Sequence, residues 1–143
     1  MDEKALVKAA IEARKNAYVP YSHFAVGAAL LDASGKIWQG CNIENAAYTP
    51  CNCAERTAFF KAVSEGTKDF VAIAVCGGNV EEAISELCAP CGVCRQVMRE
   101  FCSPEDFVVL LAKSEDEWLR LTLKDLLPLS FGPSDLEQAN CVH

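Results

Sequence analysis

A three-layer α/β/α domain built on one mixed five-stranded sheet is the fold class this sequence predicts, and three observations predict it. Phe24–Leu31, Phe70–Val75 and Phe107–Ala112 are apolar runs of strand length, the pattern of strands buried on both faces. Segments with apolar residues every three or four positions lie between them, so most connections are helical crossovers. Such crossovers imply a largely parallel region with helices on both faces, to which a hairpin adds an antiparallel edge. With 143 residues, 51% of them hydrophobic and 23% charged, the chain reads as a single domain over 1–143. A chain of that size buries about two thirds of its unfolded surface without disulfide staples.

The first helix covers residues 2–18: Ala5, Leu6, Ala9, Ala10, Ala13 and Ala17 repeat with the helical period, and Pro20 stops it. Phe24–Leu31 and Ile37–Ile43 are strands joined by a turn at Ser34-Gly35. A second helix runs from about Cys53 to Glu65, carried by Ala58, Phe59, Ala62 and Val63, with Gly66 placed to end it. Phe70–Val75 is the third strand, and residues 77–89 read as a loop. A third helix starts near Pro90 or Cys91 and runs to Phe101, presenting Val93, Val97, Met98 and Phe101. Phe107–Ala112 and Trp118–Leu123 complete the strands, Asp125–Leu127 forms a helical turn, and Phe131 opens a tail.

The charge balance narrows the function. Thirteen Lys and Arg against twenty Asp and Glu leave a net charge of -7, which repels a phosphate backbone, so no nucleic-acid partner is expected and a small uncharged ligand is compatible. No apolar stretch is long enough to span a bilayer, and the N-terminal residues lack the apolar core of a signal peptide. Nine cysteines cannot all pair within the chain, so a cytoplasmic, reducing location is expected. At this density the thiols are small buried hydrophobes, metal ligands or catalytic groups.

Two clusters stand out, Cys51-Asn52-Cys53-Ala54-Glu55-Arg56 and Cys88-Ala89-Pro90-Cys91-Gly92-Val93-Cys94, each at the start of a helix. Free amide N–H groups and partial positive charge at a helix N-terminus favour thiolate over thiol. Both junctions lie at one sheet edge, so Cys53, Cys91 and Cys94 can share one Zn²⁺ and leave its fourth position open. Arg56, one turn after Cys53, can offset the surplus thiolate charge, and Glu55 is the candidate proton carrier. Positions two apart diverge on a regular helix, so both can face one water only if Cys53 sits at or before the helix start. Other readings of the cysteines stand beside this one. Cys88, Cys91 and Cys94 with Cys51 or Cys53 would close a structural Cys₄ site. A ferredoxin-like cluster would put its fourth cysteine at Met98, and a redox pair of Cys91 and Cys94 leaves Cys53 and Glu55 without a task. Phe24 would ordinarily be core, Asn42 and Glu44 water-facing, Tyr48 plain packing, and Arg56 part of a surface ion pair. Only His23 and His143 are histidines, so a histidine-based triad has little material.

Cys53-Ala54-Glu55 followed by Pro90-Cys91-Gly92-Val93-Cys94 resembles the zinc signature of the cytidine deaminase superfamily. Phe24-Ala25-Val26-Gly27-Ala28-Ala29-Leu30, Gly40-Cys41-Asn42-Ile43-Glu44-Asn45-Ala46 and Cys51 to Ala58 are similar to the small homotetrameric members that act on free nucleosides. The resemblance covers nearly the whole chain. It implies one zinc per subunit on Cys53, Cys91 and Cys94, with Arg56 contacting the thiolates. It further implies that Glu55 moves a proton from the activated water to the pyrimidine ring and then to the leaving ammonia. Phe24 would stack on the base, and Asn42 and Glu44 would bind the ribose hydroxyls. The Ala54 backbone and the Glu55 carboxyl would read the base edge, while Ala46, Tyr48 and Phe131 would line the pocket or its subunit boundary. The expected reaction is hydrolytic deamination of cytidine and 2'-deoxycytidine in pyrimidine salvage. A deaminase of another aminopyrimidine nucleoside and a noncatalytic zinc-stabilised interaction module are the competing expectations. Cys41, Cys51, Cys76, Cys88, Cys102 and Cys141 are left as structural or incidental thiols.

Overall fold

The computed structural model describes residues 1–136. In chain order the elements are α1 (Glu3–Arg14), β1 (Phe24–Asp32), β2 (Ile37–Cys41), α2 (Ala54–Ser64), β3 (Phe70–Asn79), α3 (Gly92–Phe101), β4 (Val108–Ala112), β5 (Trp118–Thr122) and α4 (Leu123–Leu126). The strands form one sheet in the order β2-β1-β3-β4-β5. Side-chain alternation along them splits the core in two. Ala28, Leu30, Ile73, Val75, Val109 and Leu111 face α2 and α3, meeting Ala58, Phe59, Ala62 and Met98. Ala29, Ala72, Ala74, Cys76, Val108, Leu110 and Ala112 face the other way, against Leu6, Val7 and Ala10 of α1. That is the expected three-layer arrangement around a mixed five-stranded sheet.

The expectation of a largely parallel region is corrected. β3 and β4 are parallel, whereas β1–β2, β1–β3 and β4–β5 are antiparallel. β2 and β3 do point the same way, as strands joined through a helix should, but β1 is inserted between them with the opposite sense. Close packing allows it: a Cβ at Gly27 would collide with the α1 backbone at Ala10, and one at Gly40 with the α2 backbone at Ala54. Because β2, β3 and β4 share a direction, α2 and α3 both begin at one end of the sheet.

Four boundaries also move. α1 ends at Arg14 rather than residue 18, because the Tyr18 N–H is taken by the Asn42 carbonyl at 3.0 Å in a bridge to the loop after β2. β2 stops at Cys41, and Ile43 instead bridges Tyr18 and Asn52. β3 runs on to Asn79, because Cys76–Asn79 pair with Gly27–Phe24, so residues 77–79 are strand and not loop. The last helical turn is Leu123–Leu126, fixed by a capping box of Thr122 and Asp125.

At the β1–β2 turn, Asp32 is 3% exposed and its carboxylate accepts bonds from the Ser34 N–H and hydroxyl, the Lys36 N–H and the Trp38 indole. The Ser34 hydroxyl foremost holds its pKa at about 2. Asp32→Ala would strand the buried indole N–H and should cost about 3 kcal/mol in urea unfolding at pH 7. A loss under about 1 kcal/mol would contradict that role. Since the folded-state pKa is depressed, the Asp32 contribution is complete above about pH 4 and disappears as pH falls towards about 2.

Candidate metal centre and its surroundings

Cys53 is the N-cap of α2 with extended backbone, φ -76° and ψ 156°, so it precedes the helix, and Glu55 lies in the first turn. The geometric condition for the two residues to converge is therefore met. Cys91 caps α3 in the same way, φ -67° and ψ 166°, and its sulfur accepts from the Cys94 N–H at 3.5 Å. The buried Pro90 precedes it, and Arg95 donates to the Pro90 carbonyl at 2.7 Å and to the Leu126 carbonyl at 2.7 Å, fixing this entry against α4.

The three sulfurs form a triangle. Cys53 to Cys91 is 3.8 Å, Cys91 to Cys94 is 3.5 Å, and all three lie within 4.8 Å of one another. Tetrahedral zinc with Zn–S distances of about 2.3 Å requires sulfurs about 3.8 Å apart, so the donor set fits zinc. Among the described residues neither Cys51 nor Cys88 joins this group. The Cys51 sulfur instead accepts from the Asn45 N–H at 3.1 Å, and Cys88 packs beside Gly77. The triangle therefore lacks the fourth thiol of a closed structural site.

Its electrostatics suit a cation. The Cys53 thiol falls to about 5, chiefly because Cys94 donates to its thiolate, with Arg56 and Cys91 assisting. Cys94, which keeps the shared proton, is pushed up. Arg56 donates from Nη2 to the Cys53 sulfur at 3.3 Å, while its Nε is buried without a partner among the described residues. Burial of Glu55, 4% exposed, raises its pKa to about 7, and the Cys53 charge adds to the effect. Arg56→Gln removes the charged donor to sulfur and is expected to weaken zinc binding by about 10- to 100-fold in a chelator competition. An unchanged affinity would show that the Arg56 contact is incidental.

Phe24, Asn42 and Glu44 are tied to one another through the start of β1. Asn42 ties itself to β1, its Oδ1 accepting from the Val26 N–H and its Nδ2 donating to the Phe24 carbonyl, both at 2.8 Å. One lone pair and one N–H of the amide remain. Glu44 Oε1 accepts from the Tyr21 and Ser22 N–H groups at 3.1 Å, and the Ser22 side chain foremost, with these N–H groups assisting, holds its carboxyl below the ordinary range. The Phe24 ring is 45% exposed and borders Gly77, next to Cys88. It is thus a partly exposed ring and not core. Ala54 is buried at the first position of α2.

The remaining candidates are exposed within one chain. Residues 44–51 form a loop closed by the Ile43–Asn52 bridge, with Ala46 and Tyr48 exposed on it and Tyr48 at φ 63°. Phe131 is 60% exposed beyond α4. Cys141 and His143 lie outside the described residues. One contributor gave no sequence signal. Arg14 reads as an ordinary helix-end charge, yet its guanidinium donates to the Ala25, Gly78, Asn79 and Glu82 carbonyls and holds β1 and β3 together beside Phe24.

The family model of the cytidine and deoxycytidylate deaminase zinc-binding region matches residues 1–111. A cytidine deaminase of Halalkalibacterium halodurans is 50% identical over 136 residues, 95% of this chain and 98% of its own. A probable cytidine deaminase of Dictyostelium discoideum is 43% identical over 130 residues, 91% and 84% of the two chains. Among solved structures, the Burkholderia pseudomallei cytidine deaminase superposes with a TM-score of 0.82 at 47% identity, covering 92% of this chain and 100% of that one. The Mycobacterium tuberculosis enzyme gives 0.78 at 36% identity, with 92% and 98% covered.

Proposed function

The chain belongs to the cytidine and deoxycytidylate deaminase family, and from that membership we propose that it hydrolyses cytidine and 2'-deoxycytidine to uridine and 2'-deoxyuridine plus ammonia. One observation carries the reading: Cys53, Cys91 and Cys94 converge at two helix N-termini beside the buried carboxyl of Glu55. These thiols would hold one Zn²⁺ per subunit. When bound, zinc supplies Lewis acidity that lowers the pKa of a water from about 15.7 to about 7.

The chain's own residues account for the rest. Glu55 takes the proton from the attacking water as a C4–O bond forms, and delivers it to ring nitrogen N3. It then takes the remaining proton from the hydroxyl now on C4 and passes it to the exocyclic nitrogen, which leaves as ammonia when the C4–N bond breaks and the C4 carbonyl forms. Burial, which favours the protonated form of the Glu55 carboxyl, favours return of the proton it takes. Its burial excludes bulk water from the proton path. Arg56 offsets the surplus negative charge of three thiolates on a divalent ion. Phe24 stacks on the pyrimidine, and the Ala54 backbone with Glu55 reads the base edge. Glu44 accepts a ribose hydroxyl on Oε2, and Asn42 uses its remaining amide valences on the sugar.

Ala46, Tyr48 and Phe131 complete the pocket across a subunit boundary, which is why they lie exposed in one chain. The assembly this requires is a homotetramer, each chain acting as one domain over 1–143. The -7 charge and the Glu44 carboxylate favour an uncharged nucleoside over a nucleotide or nucleic acid. Among the described residues no helix is long and apolar enough to cross a membrane. The reading places the enzyme in cytoplasmic pyrimidine salvage. Ultraviolet assays on cytidine, 2'-deoxycytidine, cytidine 5'-phosphate and single-stranded DNA test it. Turnover of the two nucleosides alone is expected, and release of ammonia from none of the four would overturn it.

A further inference from the structure

We propose that Gln96 and Arg99 of α3 are positioning residues for Phe131, holding its backbone so that the ring is presented to the nucleoside site. The proposal rests on the assignment of Phe131 above and names what orients it. Arg99 donates from Nε to the Ser130 hydroxyl at 2.9 Å and from Nη2 to the Ser134 hydroxyl at 3.3 Å. Gln96 Nε2 donates to the carbonyl of Phe131 itself at 2.9 Å. Gly132 lies flat on the guanidinium, where an added Cβ would collide with its Cζ and Nη1, and its N–H donates to Asp135 at 2.8 Å. The backbone is therefore gripped on both sides of residue 131.

The ring itself is left out. Phe131 is 60% exposed, and residues 128–132 belong to no helix or strand. A segment anchored merely to stabilise the domain would bury its phenylalanine, since burying such a side chain contributes about 1.5 to 3 kcal/mol. Here polar groups hold the main chain and the apolar group points outward. The clasp also sits on the helix that supplies Cys91 and Cys94. Arg99 lies five residues beyond Cys94, about 7.5 Å along a rigid axis, so the helix that supplies two thiols of one pocket also holds the ring this chain offers across the subunit boundary.

Steady-state deamination of cytidine by the full zinc-loaded chain tests this. Phe131→Ala is expected to raise KM about tenfold, and Arg99→Ala about fivefold with kcat within about twofold and zinc content unchanged. In the Phe131→Ala background, Arg99→Ala should change kcat/KM by less than about 1.5-fold, because its effect runs through the ring. Gly132→Ala displaces the guanidinium while leaving Arg99 in place, and should reproduce the Arg99→Ala rise in KM even if that variant folds poorly. Independent, multiplying effects of Arg99→Ala and Phe131→Ala would overturn the proposal, as would an unchanged KM in both Arg99→Ala and Gly132→Ala. An unchanged KM in Phe131→Ala would instead remove the assignment of Phe131, and the clasp's catalytic purpose with it.

Discussion

Glu55→Gln is expected to lower kcat on cytidine by a factor on the order of 10² to 10⁴ while the protein keeps its zinc and its fold. The amide is nearly isosteric and leaves the first turn of α2 and the Cys53 cap intact, but it cannot take a proton from water or return one to N3 and the leaving nitrogen. Burial of an uncharged amide also removes the need to accommodate a charge at a position 4% exposed, so the melting temperature should hold or rise. Metal analysis beside the ultraviolet assay separates the two consequences. A Glu55→Gln variant with undiminished turnover would refute Glu55 as the proton carrier, whereas loss of zinc would mean that the carboxyl helps hold the metal.

Removal of the metal should have an effect as large on rate and a further one on stability. Dialysis against a chelator is expected to reduce deamination to background and to lower the melting temperature, with both restored by added zinc. The triangle joins the starts of α2 and α3, which pack side by side on one face of the sheet, so a bound ion would cross-link two helices of one layer. Cys91→Ala should mimic the apo state, because it removes the sulfur that is 3.8 Å from one partner and 3.5 Å from the other. Three thiols must be deprotonated to bind, so zinc affinity should fall steeply as pH is lowered and protons compete for the sulfurs. Full activity after verified zinc removal would sink the metal-dependent mechanism.

How much of this was legible in the chain depended on the range over which each feature is determined. The helical period of residues 3–14 and the apolar runs of β1, β3 and β4 are local, and they located those elements correctly. The C-terminal limit of α1 was not local, because the Tyr18 N–H pairs with Asn42 across the fold. Side-chain alternation puts Ala28 and Leu30 on one face and Ala29 on the other, but an apolar run carries no information on its neighbours, so the antiparallel insertion of β1 between β2 and β3 was not legible. Cys91 and Cys94 were legible as a pair because three residues make one helical turn. Arg14, Gln96 and Arg99 were not legible, since each resembles any charged or polar residue on a helix until carbonyls and hydroxyls distant in sequence close on it.

By itself the sequence determined the three-layer class, the family resemblance, the two cysteine clusters and the carboxyl two residues after Cys53. Those follow from composition and short spacings, which backbone geometry translates directly into faces and turns. Only the tertiary structure decided that Cys53 precedes its helix, that its sulfur stands 3.8 Å from a thiol 38 residues away, and that Phe24 and Phe131 face outward. Such facts depend on strand order and on where helices land against the sheet, and packing of the whole chain sets both.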